Sequence, residues 1–108
     1  NYPGAIADYS KAIEINPKYR DAYYNRGSAK LGLKDYSGAI ADYSKAIEIN
    51  PSDADAYYRR GLATWELIGD IKNECKDWKK AAELGSEDAA KLWKDYCEGL
   101  KSKLHLNS

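Results

Sequence analysis

The side chains best suited to chemistry in this sequence form two sets with the spacing of one helical face. Successive members lie three or four residues apart, which places them on one side of an α-helix. Aromatic rings offer rigid contact area, an arginine offers a planar fork for a carboxylate, and an asparagine can bond a peptide backbone. This chemistry is non-covalent binding of a polypeptide; the alternative is that the tyrosines only pack against neighbouring helices. The first set is Asp21, Tyr24, Asn25 and Ser28, and the second is Asp55, Tyr58, Arg59, Leu62 and Trp65.

Residue patterns typical of enzymes are scarce. The sequence contains no glycine-rich phosphate loop, no paired-histidine metal motif and no nucleophile elbow. Its single histidine, His105, lies near the C-terminus in KLHLNS, where no neighbour could orient it as a base or ligand. We therefore expect no catalytic residues, no metal site and no cofactor.

Cys75 and Cys97 are the only two cysteines. They are equally distant from residue 86, where the turn between the last two antiparallel helices is predicted, so they should lie at the same level of that hairpin. A disulfide between them could contribute about 3 kcal/mol through loop entropy. Two buried free thiols are the alternative and the usual state in a cytosolic protein, so the sequence leaves the redox state open.

Charge and hydropathy narrow the class of partner. Seventeen basic and seventeen acidic side chains give a formal net charge of +0, so no overall field attracts nucleic acid or an anionic membrane. No apolar run approaches the roughly 20 residues that span a bilayer. A protein or peptide is therefore the expected partner, and the cytoplasm is the default location.

The chain lacks methionine even at position 1, which indicates a processed product or an excised piece.

The sequence repeats itself. The segment AIADYSKAIEINP at Ala5 to Pro17 recurs letter for letter 34 positions later, at Ala39 to Pro51. A weaker third copy follows if one extra residue is allowed in LIGD, and it places Trp78 where Tyr43 stands in the second copy. Such repetition predicts stacked copies of one structural unit.

Each unit has the apolar spacing of helices and is divided by turn residues. Asp35 is predicted to cap one helix, Asn50-Pro51 to end it, and Ser52 with Asp55 to form a capping box for the next. Ser86 is the predicted cap of the last helix. The predicted helices are 3–15, 20–33, 36–49, 53–68, 71–84 and 87–102.

A 34-residue helix-turn-helix unit with AYYNRG in its first helix, followed by Tyr36, Ala39, Tyr43, Ala46 and Pro51, resembles the tetratricopeptide repeat (TPR) consensus. The resemblance covers about residues 2 to 85. It implies an all-α fold, a right-handed superhelical solenoid of antiparallel helix pairs with a C-terminal capping helix. The expected organisation of the single domain 1–108 is a truncated repeat (2–19), a complete repeat (20–53), a degenerate repeat (54–86), a capping helix (87–102) and a tail (103–108).

The same resemblance implies a non-catalytic function. The first helix of each unit lines the concave face in TPR arrays, so the two residue sets described above would form a peptide-binding groove. The carboxylate clamp of some TPR proteins is incomplete here: Asn25 and Arg59 fit its pattern, but Asp55 stands where a lysine belongs and would repel a carboxylate.

A structural role is the alternative function. The chain begins in the second helix of a unit, so the helix expected to cover part of the first helix is missing. An uncovered apolar stripe predicts either fraying or docking on a second copy of the chain. The stripe consists of Ala5, Ile6, Tyr9 and Ile13.

Overall fold

A computed structural model describes residues 1–69 and 71–98, and this part of the chain contains helices and no strand. The α-helices are α1 (Tyr2–Ile15), α2 (Arg20–Gly32), α3 (Tyr36–Ile49), α4 (Ala54–Ile68), α5 (Ile71–Glu83) and α6 (Glu87–Leu92), and a π-helical segment, Trp93–Glu98, continues α6. The predicted all-α fold is confirmed. Each helix packs mainly against the helix before it and the helix after it, which produces an elongated stack of 47 × 25 × 21 Å.

Most predicted helix boundaries agree with the structure to within one residue, and the last helix is the exception. It was expected to run unbroken over 87–102, whereas α6 ends at Leu92 and the chain continues as the π-helical segment to Glu98. Residues 99–102 of this predicted helix, the predicted tail at 103–108 and His105 lie outside the described residues.

Side-chain caps explain where the helices begin. The Asp35 carboxylate accepts a hydrogen bond from the Gly38 backbone N–H at 3.0 Å, as expected for the N-cap of α3. At α4 the predicted capping box of Ser52 and Asp55 is wrong. Asp53 is the N-cap, because its carboxylate accepts from the Ala56 N–H at 3.2 Å. At α6 the predicted cap Ser86 accepts from Ala89 N–H at 3.1 Å.

Two large aromatic side chains at equivalent repeat positions occupy the core. Tyr43 on α3 and Trp78 on α5 are both completely buried. A glycine on the preceding helix allows each close approach: a Cβ atom added at Gly27 would lie 3.2 Å from Tyr43, and one added at Gly61 would lie 2.5 Å from Trp78. Both glycines therefore allow neighbouring helices to pack around a bulky ring.

Buried ion pairs repeat along the stack. Arg26 on α2 donates two hydrogen bonds to Asp42 on α3, both at 2.8 Å, and a third to Ser10 on α1 at 3.1 Å. Thirty-four residues later, Arg60 makes the same contacts with Asp77 on α5 and Ser44 on α3. Each arginine thus connects three successive helices.

The C-terminal helices are held by a disulfide and an apolar cluster. Cys75 on α5 and Cys97 in the π-helical segment are joined by a disulfide, with Cα atoms 5.7 Å apart. Cys97 also belongs to a buried cluster with Trp78, Ala81 and Ala89. The end of the stack is therefore fixed by a covalent bond as well as by packing.

In the described part of the chain, every helix is too short or too polar to cross a bilayer.

Candidate functional site

Helices α2 and α4 touch each other and present the two predicted residue sets. We call this surface the inner face and define it by those nine residues. Asp21 and Asp55 are exposed, and the others are half-buried, so none of the nine is sealed inside the protein: Tyr24, Asn25, Ser28, Tyr58, Arg59, Leu62 and Trp65. The residues that contact a ligand remain a prediction.

Tyr24 lies at the centre of the α2 side of the inner face. Its ring meets that of Tyr43 edge-on, with centroids 5.6 Å apart, so Tyr24 contributes to packing as well as to the surface. The guanidinium carbons of Arg20 and Arg59 lie 4.7 and 5.9 Å from the centre of the Tyr24 ring. Burial raises the pKa of the Tyr24 hydroxyl, and the positive charge of Arg59 offsets part of that rise.

Arg59 provides a half-buried positive charge on this surface. Burial alone would lower its pKa, but its interactions with Tyr24, Tyr43 and Asp55 result in a pKa above the usual value. Arg59 therefore stays charged at physiological pH. Among the described residues it forms no ion pair, so its guanidinium can accept a carboxylate from a bound chain.

Arg20 and Asp53 were not identified from the sequence, although they connect the N-terminal ends of α2 and α4. Arg20 donates through Nε to Asp53 Oδ2 at 2.7 Å and makes a second, shorter contact with the same oxygen. Its other terminal nitrogen lies 2.6 Å from Asp21 Oδ1. The positive charge of Arg20 is thus neutralised within the protein by Asp53 and Asp21. The sequence signal that could have identified Asp53 is an acidic residue directly before the start of a helix, which is a preferred N-cap position.

Two inner-face residues have structural contacts that limit their freedom. The Ser28 hydroxyl lies 2.9 Å from the Tyr43 hydroxyl, so it supports the core. The Trp65 ring packs against Trp78 and Tyr96, with centroid distances of 5.6 and 5.1 Å. Trp65 therefore forms the boundary between the inner face and the C-terminal cap.

A depression of about 470 Å³ lies beside Leu62 on the inner face. Its walls combine apolar side chains with one positive and one negative charge. Of its residues, Leu62 belongs to the predicted sets, and Leu31 lies at helical spacing from Ser28 on the same face of α2. The depression itself requires residues from the end of α2 and the start of α3 to meet α4. The lining residues are Leu31, Lys34, Tyr36, Leu62 and Glu66.

One face of α1 is less covered than the same face of its sequence twin α3. Ala39, Tyr43 and Ala46 of α3 are completely buried, whereas their counterparts Ala5, Tyr9 and Ala12 in α1 are half-buried. Asp42 is also buried, and its counterpart Asp8 is exposed. The helix that covers this face of α3 is α2, and no described helix takes that place on α1.

The predicted stripe on α1 agrees with this face only in part. Ala5 and Tyr9 belong to it. Ile6 and Ile13 are half-buried, as are Ile40 and Ile47 at the same positions of α3. The two isoleucines therefore fall in the same range of exposure in both helices, and the less covered face continues through Asp8 and Ala12 instead.

Among the described residues, no group of three or more histidine, cysteine, aspartate or glutamate side chains has the arrangement of a metal site. The inner face instead offers ring surfaces, two exposed carboxylates and a guanidinium that forms no ion pair among the described residues. Such a surface can bind another chain through packing and hydrogen bonds.

Comparisons with known proteins agree with the repeat pattern. The family model described as "TPR repeat" matches twice, over residues 1–34 and 29–67. No curated protein is similar enough to count as a match.

Several solved structures share the fold. The first TPR of Spaghetti (RPAP3), bound to the HSP90 peptide SRMEEVD, has 30% identity and a TM-score of 0.83, covering 92% of this chain and 79% of that chain. The Arabidopsis OM64 TPR domain has 30% identity and a TM-score of 0.82, covering 90% and 81%. The second TPR domain of human RPAP3, in complex with the HSP70 peptide SGPTIEEVD, has 27% identity and a TM-score of 0.80, covering 87% and 79%.

Proposed function

The chain belongs to the tetratricopeptide repeat family, and we propose that it is a non-catalytic protein-interaction module that holds a peptide segment or a partner helix on its inner face. The observation that carries the proposal is that Tyr24, Tyr58 and Arg59, on the neighbouring helices α2 and α4, are only half-buried. Aromatic and arginine side chains contribute most of the binding energy in many protein interfaces.

The peptides bound by the similar structures support the class of partner but not its charge. The printed sequences SRMEEVD and SGPTIEEVD are acidic at their C-terminal ends. On the inner face of this chain, Asp21 and Asp55 are exposed, and Arg20 is already paired with Asp53. The two exposed carboxylates oppose an acidic tail, so the proposal does not extend to the chaperone peptides.

The test begins with peptides selected from a random-peptide phage library on the immobilised protein. Arg59→Gln is expected to weaken binding of the selected peptides by at least about tenfold, because it removes the one unpaired guanidinium of the inner face. Asp55→Asn removes a negative charge, so it should strengthen the binding of acidic peptides and weaken the binding of basic peptides. Fluorescence anisotropy with labelled peptides gives the dissociation constants.

Lys45→Gln is the matched control, since it also removes one positive charge but lies on α3, where Lys45 contacts Glu48. Thermal unfolding of each variant verifies that the fold is intact. Equal affinities for the Arg59 and Lys45 variants would place the binding surface elsewhere. Failure of the library to yield any peptide above background would contradict the proposal itself.

A second candidate function is self-association through α1, and the burial difference between α1 and α3 favours it. The occupant would be a second copy of the chain, docked on the face formed by Ala5, Asp8, Tyr9 and Ala12. Three small or aromatic residues on this face allow close helix packing of the kind that buries their counterparts in α3.

Light scattering at several protein concentrations tests this candidate. A dimer is expected to form as the concentration rises, and Tyr9→Glu should abolish it because a charge would be buried without a partner. Ala7→Glu is the control, since position 7 is exposed and so is its counterpart Ala41. A monomer at every concentration would eliminate self-association and leave the peptide-binding proposal untouched.

A further inference from the structure

A second concave surface lies on the side of the stack formed by α3, α4 and α5. This outer pocket has a volume of about 490 Å³, large enough for one long side chain. Its lining combines charged and hydroxyl-bearing side chains with aliphatic ones. The lining includes Arg60, Thr64 and Asp77, the aliphatic residues Ile40, Leu67 and Ile68, and Lys76.

The complete repeat (20–53), here called the first repeat, shows how the carboxylate equivalent to Asp77 is neutralised. There Asp42 is held by Arg26, and the Lys30 ammonium lies 3.2 Å from Asp42 Oδ2. The Asp42 side chain is only 5% exposed. The carboxylate of the first repeat therefore interacts with two cations, a guanidinium and an ammonium.

In the degenerate repeat (54–86), here called the second repeat, no lysine among the described residues forms an ion pair with Asp77. Arg60 holds Asp77 with bonds of 2.9 and 2.7 Å, in the same way as Arg26 holds Asp42. Thr64, however, stands 34 positions after Lys30, and its hydroxyl donates to the Arg60 carbonyl oxygen at 2.8 Å. The Asp77 side chain is 13% exposed, and its carboxylate faces the outer pocket.

We propose that the outer pocket binds a lysine side chain of a partner protein, with its ammonium beside Asp77 in the place that Lys30 takes beside Asp42. The aliphatic stem of that lysine would lie along Leu67 and Ile68, which are 47% and 59% exposed. A lysine fits better than an arginine, because the guanidinium of Arg60 already occupies both carboxylate oxygens and leaves room for a compact charge.

Lys76 sets a further requirement on the partner. Its side chain lines the same pocket and forms no ion pair within the described part of the chain. Its positive charge opposes an isolated incoming ammonium. A lysine that is followed or preceded by an acidic residue satisfies both Asp77 and Lys76, so such a pair is the preferred partner sequence.

The test uses amide NMR of the ¹⁵N-labelled protein with two small probes that carry the acidic neighbour, N-acetyl-lysyl-glutamate N-methylamide and N-acetyl-norleucyl-glutamate N-methylamide. The probes differ in the ammonium group, while both carry an aliphatic stem. The lysine probe is expected to cause saturable shifts at Thr64 and Asp77 with a dissociation constant on the order of 1–10 mM. The norleucine probe should bind at least about tenfold more weakly.

Two substitutions at one position complete the test. Thr64→Lys supplies the missing ammonium from within the chain, so it should abolish binding of the lysine probe and raise the melting temperature. Thr64→Val also removes the hydroxyl but leaves the pocket open, so it should retain binding. Equal binding of both probes, retained binding in the Thr64→Lys variant, or the absence of saturable shifts would each overturn the proposal.

Discussion

Replacement of Tyr43 by alanine is expected to lower the free energy of unfolding by about 3–5 kcal/mol, the range for truncating a large buried aromatic side chain. Tyr43 is completely buried, contacts the Tyr24 ring and bonds to Ser28. The substitution removes this packing and leaves the Ser28 hydroxyl without its partner. Urea unfolding followed by circular dichroism measures the change, which is a large fraction of the roughly 5–15 kcal/mol that stabilises a domain.

The chain offers a matched control in Tyr9, which occupies the same position of the same thirteen letters in α1. Tyr9→Ala is expected to cost less than about 2 kcal/mol, since Tyr9 is only half-buried and part of its surface is already hydrated. Comparable losses for the two variants would show that α1 and α3 are equally covered in solution. The described packing of α1 would then be wrong.

Reduction of the disulfide between Cys75 and Cys97 is expected to lower the free energy of unfolding by about 3 kcal/mol. The bond closes a loop with a sequence separation of 22, and the estimate follows from the entropy that this closure removes from the unfolded chain. Urea unfolding with and without a phosphine reductant measures the difference.

The double variant Cys75→Ser with Cys97→Ser is the control for the reductant, because it contains no thiol that can respond. Its stability should be the same in both conditions and close to that of the reduced natural chain. Alkylation of the unfolded protein without reductant gives an independent reading. A mass increase for two labelled thiols would contradict the disulfide.

The helices could be predicted closely from the sequence because their signals are local. Helix α3 runs from Tyr36 to Ile49, as expected from Asp35 before it and Asn50-Pro51 after it. The error at α4 has a local cause as well: Ser52 and Asp53 are adjacent and both are good caps, and only the backbone geometry selects Asp53.

Helical spacing could group the residues of the inner face, but it could not predict how deeply each of them is buried. Helical spacing places Ser28 on the same side of α2 as Tyr24 and Trp65 on the same side of α4 as Tyr58, yet the exposure of each depends on other helices. Ser28 is held by Tyr43 from α3, and Trp65 is covered by Tyr96 from the π-helical segment. Contacts of this kind are tertiary, so no pattern within a single helix reports them.

The paired charges of the core were missed for a related reason. Arg26 and Asp42 recur as Arg60 and Asp77 at corresponding repeat positions, so the pattern contained the information. Polar residues on a mostly apolar stripe suggest exposure, whereas here the two side chains neutralise each other between helices. Their pairing across the helix interface offsets the cost of removing the two charges from water, and this pairing is a tertiary contact.

The verbatim duplication of Ala5–Pro17 in Ala39–Pro51 has a consequence for how the chain reaches its native state. Helix α1 carries the same letters that α3 packs against α2, so the two segments can compete for that site during folding. The helix caps and the duplicated letters do not select between them, because Asn1 caps α1 as Asp35 caps α3, and Ala39 and Tyr43 recur as Ala5 and Tyr9. The two segments differ in their connection to α2: Asp35 N–H donates to the Lys30 carbonyl oxygen at 2.8 Å in the turn that joins α2 directly to α3. Which of the two segments packs at this site during folding therefore depends on a few residues outside the duplicated letters.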